Sequence, residues 1–134
     1  MEYTNTILIV DDSQMVSKVL SFKIGKAGYN VLSAVDGRKA LEFFDGREID
    51  LVVTDLNMPN MDGLELINEI RSKEYYCYLP VILFVPYNER DRSKIIATSG
   101  ATMLFDKNNI KEKIIPTIKK MEPLKAPFFI KISP

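Results

Sequence analysis

Three carboxylates and one ammonium group stand at the ends of short apolar runs in this sequence. Asp11 and Asp12 follow the run Ile-Leu-Ile-Val, and Asp55 follows the run Leu-Val-Val-Thr. Lys107 stands two residues after the run Thr-Met-Leu-Phe. If these runs are parallel strands, their carboxyl ends meet at one edge of a sheet. We therefore expect the four charged side chains to lie together.

Such a group of side chains favours metal-assisted phosphoryl chemistry. Three carboxylates held together repel one another unless a cation joins them. Oxygen ligands with open coordination positions suit Mg²⁺, which keeps several waters and accepts phosphate oxygens. A carboxylate beside such a metal can attack a phosphoryl group to give an aspartyl phosphate, and a lysine can neutralise the oxygens of the group in transfer.

Each of these residues also has an ordinary structural interpretation. An aspartate after a strand is commonly a turn former or a helix cap, which suits Asp12, Asp62 and Asp106. A lysine such as Lys107 is by default a solvated side chain. The hypothesis of a shared site therefore depends on the coincidence of three acids and one lysine at the ends of different runs.

The elements that must position these side chains alternate regularly along the chain. Apolar runs that are continuous predict strands buried on both faces. Amphipathic stretches between them predict right-handed crossover helices. We therefore predict an α/β fold, a (βα)5 doubly wound five-stranded parallel sheet with helices on both faces. The predicted strands are Thr6–Val10, Val31–Ala34, Leu51–Thr54, Val81–Val85 and Thr102–Phe105.

Local signals predict where several helices begin. Ser13 and Asp62 are predicted N-caps, because their side chains can accept a bond from a free backbone N–H. Asn88 is predicted to cap the fourth helix. Asn109, with Glu112 three residues later, resembles a capping box for the fifth.

The apolar positions predict two further helices. The second helix is predicted over Gly37–Phe44, with Gly46 as its end. The third is predicted over Leu64–Ser72, with Leu64, Ile67 and Ile70 facing inward.

Composition excludes several classes of function. The chain has 134 residues with 18 basic and 18 acidic side chains, so direct nucleic-acid binding is not indicated. There is no histidine, which excludes histidine-based catalysis on this chain, and the single cysteine, Cys77, excludes an internal disulfide. No apolar segment approaches the ~20 residues of a membrane span, and no secretory pattern opens the chain. We expect a cytoplasmic protein without a membrane partner.

At the level of motifs, the sequence resembles the receiver domains of two-component response regulators, which have a flavodoxin-like fold. The resemblance covers about residues 5–121 and leaves residues 122–134 as a C-terminal tail. The matching segments are Ile-Leu-Ile-Val-Asp-Asp-Ser from residue 7, Asp-Leu-Asn-Met-Pro-Asn-Met-Asp-Gly from residue 55, Leu-Pro-Val-Ile-Leu-Phe-Val from residue 79, and Gly-Ala at 100–101 followed by Asp-Lys at 106–107.

The resemblance implies roles for individual residues. Asp55 would accept a phosphoryl group from a phosphohistidine on a sensor histidine kinase or phosphotransfer protein. Asp11 and Asp12 would bind Mg²⁺ together with Asp55 and the backbone carbonyl of Asn57, and Lys107 would contact the phosphoryl oxygens. A downstream protein would bind the surface formed by the fourth helix, fifth strand and fifth helix. A weak homodimer could form through the same surface.

Three positions depart from the family pattern. Val85 stands where the family usually has a threonine or serine whose hydroxyl bonds the phosphoryl group, and valine cannot donate that bond. Leu104 stands at the position of the switch aromatic, and Asn108 follows the lysine where a proline is usual. We expect Mg²⁺ binding and phosphorylation to persist, with weaker or different coupling to the output face.

Two other functions compete with a phosphorylated switch. A pseudo-receiver, a phosphorylation-independent protein-interaction module, is favoured by Val85, Leu104 and Asn108. The carboxylate cluster opposes it, because such a cluster is costly without a metal. A phosphatase of the haloacid dehalogenase type would resemble Asp-x-Asp on strand one, but here Asp11 and Asp12 are adjacent. The switch itself would be no enzyme beyond its own phosphorylation and dephosphorylation.

Overall fold

A computed structural model of the chain describes residues 5–86 and 92–122. Five parallel strands form one sheet, namely β1 (Thr6–Val10), β2 (Asn30–Ala34), β3 (Leu51–Asp55), β4 (Val81–Val85) and β5 (Met103–Asp106). Their order in the sheet is β2-β1-β3-β4-β5. This order places β1 and β3 side by side although a strand and two helices separate them in sequence.

Helices connect the strands, as the prediction of a doubly wound α/β fold requires. They are α1 (Gln14–Lys26), α2 (Gly37–Leu41), α3 (Gly63–Ser72), α4 (Arg92–Ser99) and α5 (Ile110–Met121), with a short 3-10 turn at Glu74–Tyr76. The predicted strands lie within one residue of the observed ones. In the part of the chain that the structure describes, no helix has the length and apolar character needed to cross a bilayer.

The core lies in two layers, one on each face of the sheet. One layer joins the sheet to α1 and α5, with Leu20, Ile24 and Ile114 buried. The other joins it to α2 and α3, with Ala40, Leu66 and Ile70 buried. Strands β3 and β4 are buried along their whole length, which explains why they read as continuous apolar runs. Each large apolar side chain buried here contributes about 1.5–3 kcal/mol.

The N-caps of α1 and α3 are confirmed. The Ser13 side chain accepts a bond from the backbone N–H of Val16. Asp62 accepts from the N–H of Glu65, whose carboxylate in turn accepts from the N–H of Asp62. Asp62 therefore forms a full capping box, which satisfies two N–H groups at the start of α3.

The predicted capping box at Asn109 is wrong. Its side chain makes no cap bond, and its backbone is already helical, with φ −105° and ψ −5°. The N–H of Asn109 bonds to the carbonyl of Asp106 at 3.0 Å, so a tight turn leads into α5. The predicted cap at Asn88 lies outside the described residues.

Two helix expectations also differ from the structure. Helix α2 ends at Leu41, because Phe43 and Phe44 bond to carbonyls three residues back and tighten the chain into turns. In α3, Leu64 is 36% exposed, while Leu66, Ile67 and Ile70 are buried. The helix begins at Gly63, and the inward positions follow from that residue at helical spacing.

Candidate functional site

The three predicted carboxylates converge at the carboxyl ends of β1 and β3. These strands pair in parallel with Val10 opposite Thr54, so the residues that follow them are neighbours. Asp11, Asp12 and Asp55 each offer a carboxylate oxygen, and these atoms lie within 4.8 Å of one another. Asp11 and Asp55 are each 1% exposed, whereas Asp12 faces solvent.

Two oxygens of this cluster are buried without a hydrogen-bond partner. Asp11 Oδ1 accepts from the backbone N–H of Ser13 at 2.9 Å, but Asp11 Oδ2 has no partner. Asp55 Oδ1 is likewise unpartnered. A buried carboxylate oxygen without a partner is costly, and a cation relieves that cost. Hard oxygen donors on two buried residues and one exposed residue fit Mg²⁺.

Lys107 reaches the cluster from the end of β5. Its ammonium Nζ donates to Asp55 Oδ2 at 2.9 Å. Its backbone N–H bonds to the carbonyl of Val85 at 2.7 Å, which fixes the base of the side chain. Burial lowers the pKa of Lys107, but the bond to Asp55 and the acidic charges outweigh burial, so the pKa is raised overall. Lys107 therefore carries its positive charge at neutral pH.

The electrostatic surroundings of Asp11 favour the binding of a cation beside its carboxylate. Burial raises its pKa to about 6, and the negative charge of Asp55 adds to this rise, while the bond from Ser13 opposes it. Ionisation of Asp11 therefore costs more free energy in the metal-free folded protein than it does in water. A bound cation would reverse this balance by favouring the charged form.

Gly63 is a residue of the site whose role the sequence reasoning missed. A Cβ at this position would lie 2.4 Å from the carbonyl oxygen of Asp55 and 2.8 Å from Leu83 Cδ1. The N–H of Gly63 also bonds to the carbonyl of Leu56 at 2.8 Å. Glycine therefore lets the start of α3 pack directly on the end of β3. The signal that could have found it is the Asp-Gly pair that opens α3 close to the phosphoacceptor candidate.

The structure places Asn57 in the exposed loop between β3 and α3, two residues after Asp55. The coordination of a metal by its backbone carbonyl stays a prediction.

Val85 lies at the end of β4, fully buried in the apolar layer that also contains Leu104. It brings no hydroxyl to the cluster. The buried hydroxyl of Thr54 donates to the carbonyl of Asp55 at 3.0 Å, so it is engaged with the backbone. Leu104 is half-buried and Asn108 is exposed.

A parallel sheet in this strand order, with helices on both faces, defines a doubly wound α/β domain of the flavodoxin-like class. The family model of the response regulator receiver domain matches residues 7–119. The chain belongs to this family and is a receiver domain of two-component signal transduction. The phosphatase and pseudo-receiver alternatives are not favoured by this membership.

Known relatives agree on fold and family. The sporulation initiation phosphotransferase F of Bacillus subtilis strain 168 is 33% identical over 120 residues, which cover 90% of this chain and 95% of that protein. The chemotaxis response regulator CheY4 of Vibrio cholerae has a structure with a TM-score of 0.81 and 28% identity, covering 88% of this chain and 98% of that chain. The response regulator TrrA of Thermotoga maritima, solved in complex with Mg²⁺-BeF, has a TM-score of 0.76 and 30% identity, covering 88% and 99%.

Other curated relatives are much longer. The chain spans 14% of the length of the CAI-1 autoinducer sensor kinase/phosphatase CqsS of Vibrio cholerae. It spans 22% of the length of the regulatory protein AtoC of Escherichia coli. The receiver family thus includes modules within larger signalling proteins.

Proposed function

We propose that Asp55 accepts a phosphoryl group from the phosphohistidine of a sensor kinase or phosphotransfer protein. A carboxylate oxygen of Asp55 bonds to phosphorus while the P–N bond of the donor breaks and the imidazole leaves. The observation that carries this proposal is the convergence of three carboxylates on one point, with Lys107 only 2.9 Å from Asp55.

The metal proposed here is Mg²⁺, held by Asp11, Asp12, Asp55 and the backbone carbonyl of Asn57. When bound, it would neutralise the negative charge of the carboxylates and of the incoming phosphoryl oxygens. The two unpartnered oxygens on Asp11 and Asp55 support this ligand set.

Lys107 is proposed to hold Asp55 before transfer and to contact a phosphoryl oxygen afterwards. Its fixed backbone and its raised pKa support this role, since the ammonium group needs no protonation step during the reaction. A positive charge aimed at the developing negative charge stabilises the transition state. The reaction is self-catalysed, so the domain acts as a switch and not as an enzyme with turnover of a separate substrate.

Phosphorylation would alter a protein-binding face made by α4, β5 and α5. The half-buried position of Leu104 on β5 supports a link to this face, since its side chain packs on the core layer that contains Val85. We propose a cytoplasmic domain over residues 5–121 with a separate tail from 122. A downstream protein is the proposed partner, with a weak homodimer as a second use of the same face.

Acetyl phosphate, a small phosphoryl donor, tests the proposal together with intact-mass measurement. Mass is a suitable readout because the chain has no tryptophan for a quenching assay. We expect one phosphoryl adduct that needs Mg²⁺ and that is absent from Asp55→Asn. An adduct of equal amount in Asp55→Asn, or no adduct combined with no Mg²⁺ binding, would contradict it.

A further inference from the structure

The loop between β3 and α3 is fastened at its far end to a second element of the fold. Asn60 Nδ2 donates to Asp36 Oδ2 at 2.9 Å. The other oxygen of Asp36 accepts from the backbone N–H of Lys39 at 2.9 Å and thereby caps α2. One buried carboxylate therefore joins the loop to the start of α2.

A backbone contact lies beside this side-chain bond. The N–H of Gly37 donates to the carbonyl of Met61 at 3.3 Å. A Cβ at position 37 would lie 2.7 Å from Met61 Cγ and 2.9 Å from the Met61 carbonyl oxygen. Glycine thus permits the start of α2 to contact the loop directly. Asp36 and Gly37 therefore bond to the consecutive loop residues Asn60 and Met61.

Backbone hydrogen bonds also anchor the loop at the end that follows β3. The N–H of Leu56 bonds to the carbonyl of Phe84 at 3.0 Å, and the carbonyl of Leu56 accepts from the N–H of Gly63 at 2.8 Å. At the other end, Asn60 adopts φ +67°, a left-handed conformation that costs energy for residues other than glycine. Its bond to Asp36 offsets that cost. Only residues 57–59 lie between the two anchored ends.

We propose that Asp36 and Asn60 are positioning residues that orient the Asn57 carbonyl toward Mg²⁺. The inference rests on the proposed function, since it requires a metal at the three carboxylates. A short loop fixed at both ends has few conformations left, so little ordering remains to be done when the metal binds. Neither residue touches the metal in this proposal.

Two single variants and their combination test the contact. Asn60→Gly removes the side-chain amide and leaves the net charge of the protein unchanged. Glycine also tolerates the left-handed backbone at this position. Asp36→Ser keeps a side chain that caps α2 but is too short to hold Asn60 in the same way. Mg²⁺ affinity is measured by following amide shifts in NMR during titration with MgCl₂, without any phosphoryl donor. Unfolding in urea without metal is measured in parallel.

Each single variant should weaken Mg²⁺ binding by about three- to tenfold, less than the loss typical of groups that touch a metal ligand directly. The double variant should lose no more than the single variants, because both remove the same contact. The loss of Mg²⁺ affinity in these variants should not follow the order of their urea unfolding midpoints without metal. A merely structural role would instead lower the unfolding midpoint and leave the Mg²⁺ affinity of the folded protein unchanged.

Asp45→Ser is the control for charge, because its carboxylate bonds to Arg47 and not to the loop. It should bind Mg²⁺ as the wild type does. Wild-type affinity in both single variants, additive losses in the double variant, or an equal loss in Asp45→Ser would each overturn the positioning role while leaving the proposed function intact. Absence of Mg²⁺ binding by the wild-type protein would instead overturn the proposed function and this inference with it.

Discussion

Asp11 is a buried carboxylate with one oxygen bonded to Ser13 and the other without a partner. Its raised pKa means that the folded, metal-free protein binds a proton there more tightly than the unfolded chain does. Ionisation of Asp11 therefore opposes folding. The metal-free stability contributed by this residue is complete below pH ~4, falls as the pH rises from there to about 6, and is lowest above that value.

Asp11→Asn should therefore stabilise the metal-free protein at neutral pH. Since one pKa unit corresponds to about 1.4 kcal/mol and neighbouring solvent screens part of the effect, we expect a gain of about 1–2 kcal/mol. Urea unfolding followed by circular dichroism in EDTA at pH 7.5 and pH 4.5 measures it. The gain should largely vanish at the lower pH, and Mg²⁺ should stabilise the wild type but not the variant. A variant that is less stable at both pH values would contradict this electrostatic account.

We propose that Val85 limits how strongly phosphorylation alters the proposed output face of α4, β5 and α5. Threonine has nearly the same shape but adds a hydroxyl donor, and a hydrogen bond to a charged group is worth about 1.5–3 kcal/mol. Because about 1.4 kcal/mol is a tenfold change in a population, Val85→Thr should enlarge the conformational shift. We expect larger amide shifts in α4 and β5 on addition of beryllofluoride with Mg²⁺ than in the wild type.

The matched control for this variant is Val53→Thr, another fully buried strand valine, whose side chain lies in the layer facing α1 and α5. It adds a buried hydroxyl without adding a donor at the end of β4. Equal shifts in Val85→Thr and in the wild type would refute the assigned role of Val85.

At the scale of elements, the close packing of α3 on β3 connects the fold to the site. Gly63→Ala would force a methyl group toward the Asp55 carbonyl oxygen, which is 2.4 Å from the ideal Cβ position. We expect a loss of about 1–3 kcal/mol in unfolding free energy and weaker Mg²⁺ binding, because the backbone of Asp55 must shift. Thermal unfolding and Mg²⁺ titration measure the two effects.

Gly25→Ala is the control for this substitution. Gly25 lies inside α1, where a Cβ would meet only Val31 Cγ2 at 4.0 Å. Alanine should raise stability there by about 0.5–1 kcal/mol because it favours the helix. If Gly63→Ala behaved like Gly25→Ala, the close approach of α3 to β3 would not matter for the site.

The elements that the sequence predicted well are those whose signal is local. The strand Thr6–Val10 and the caps at Ser13 and Asp62 were predicted correctly, since burial on both faces and capping chemistry act within a few residues. The capping box at Asn109 failed because the tight turn from Asp106 competes for the same backbone. The predicted helix over Gly37–Phe44 extends past the observed end at Leu41, because bonds to carbonyls three residues back tighten the chain there. Beyond that end, Phe44 packs against Tyr76, which is distant in sequence.

At the scale of the whole molecule, helix α5 packs beside α1 in the core layer that covers one face of β1 and β3. Its buried residues Ile114 and Ile118 pack in the same cluster as Leu20 and Ile24 of α1. The hydroxyl of Tyr29, before β2, bonds to the carboxylate of Glu122 just after α5. Burial and this bond raise the pKa of Tyr29, so the neutral hydroxyl is the form that supports the fold.

Tyr29→Phe should therefore lower the unfolding free energy by about 0.5–1.5 kcal/mol at neutral pH. The folded-state pKa of Tyr29 is higher than the unfolded one, so its contribution is complete below pH ~10 and is lost as the pH rises through the folded-state value. Urea unfolding of both proteins at pH 7.5 and pH 10.5 measures this. A difference between the two proteins that grows at pH 10.5 would argue against it.

The charged residues of the candidate site could be predicted from the sequence. The contacts between distant residues that hold the surrounding loop and helix could not. Asp11, Asp12, Asp55 and Lys107 could be grouped because each stands at a strand end, and parallel strands end at one edge. The contact of Asn60 with Asp36 joins residues 24 positions apart across two loops, and no local pattern encodes it. The steric role of Gly63 depends on the packing distance between α3 and β3, which only the fold defines.

Phosphorylation by phosphoramidate tests the central claim most directly, because its P–N bond resembles that of a phosphohistidine. Intact mass and peptide mapping after reaction, with and without Mg²⁺, locate and count the phosphoryl groups in the wild type, Asp55→Asn and Lys107→Ala. The account predicts one group per chain, on the peptide containing Asp55, formed only with Mg²⁺, absent from Asp55→Asn and formed much more slowly in Lys107→Ala. A phosphoryl group on another peptide, or a wild-type protein that neither becomes phosphorylated nor binds Mg²⁺, would contradict it.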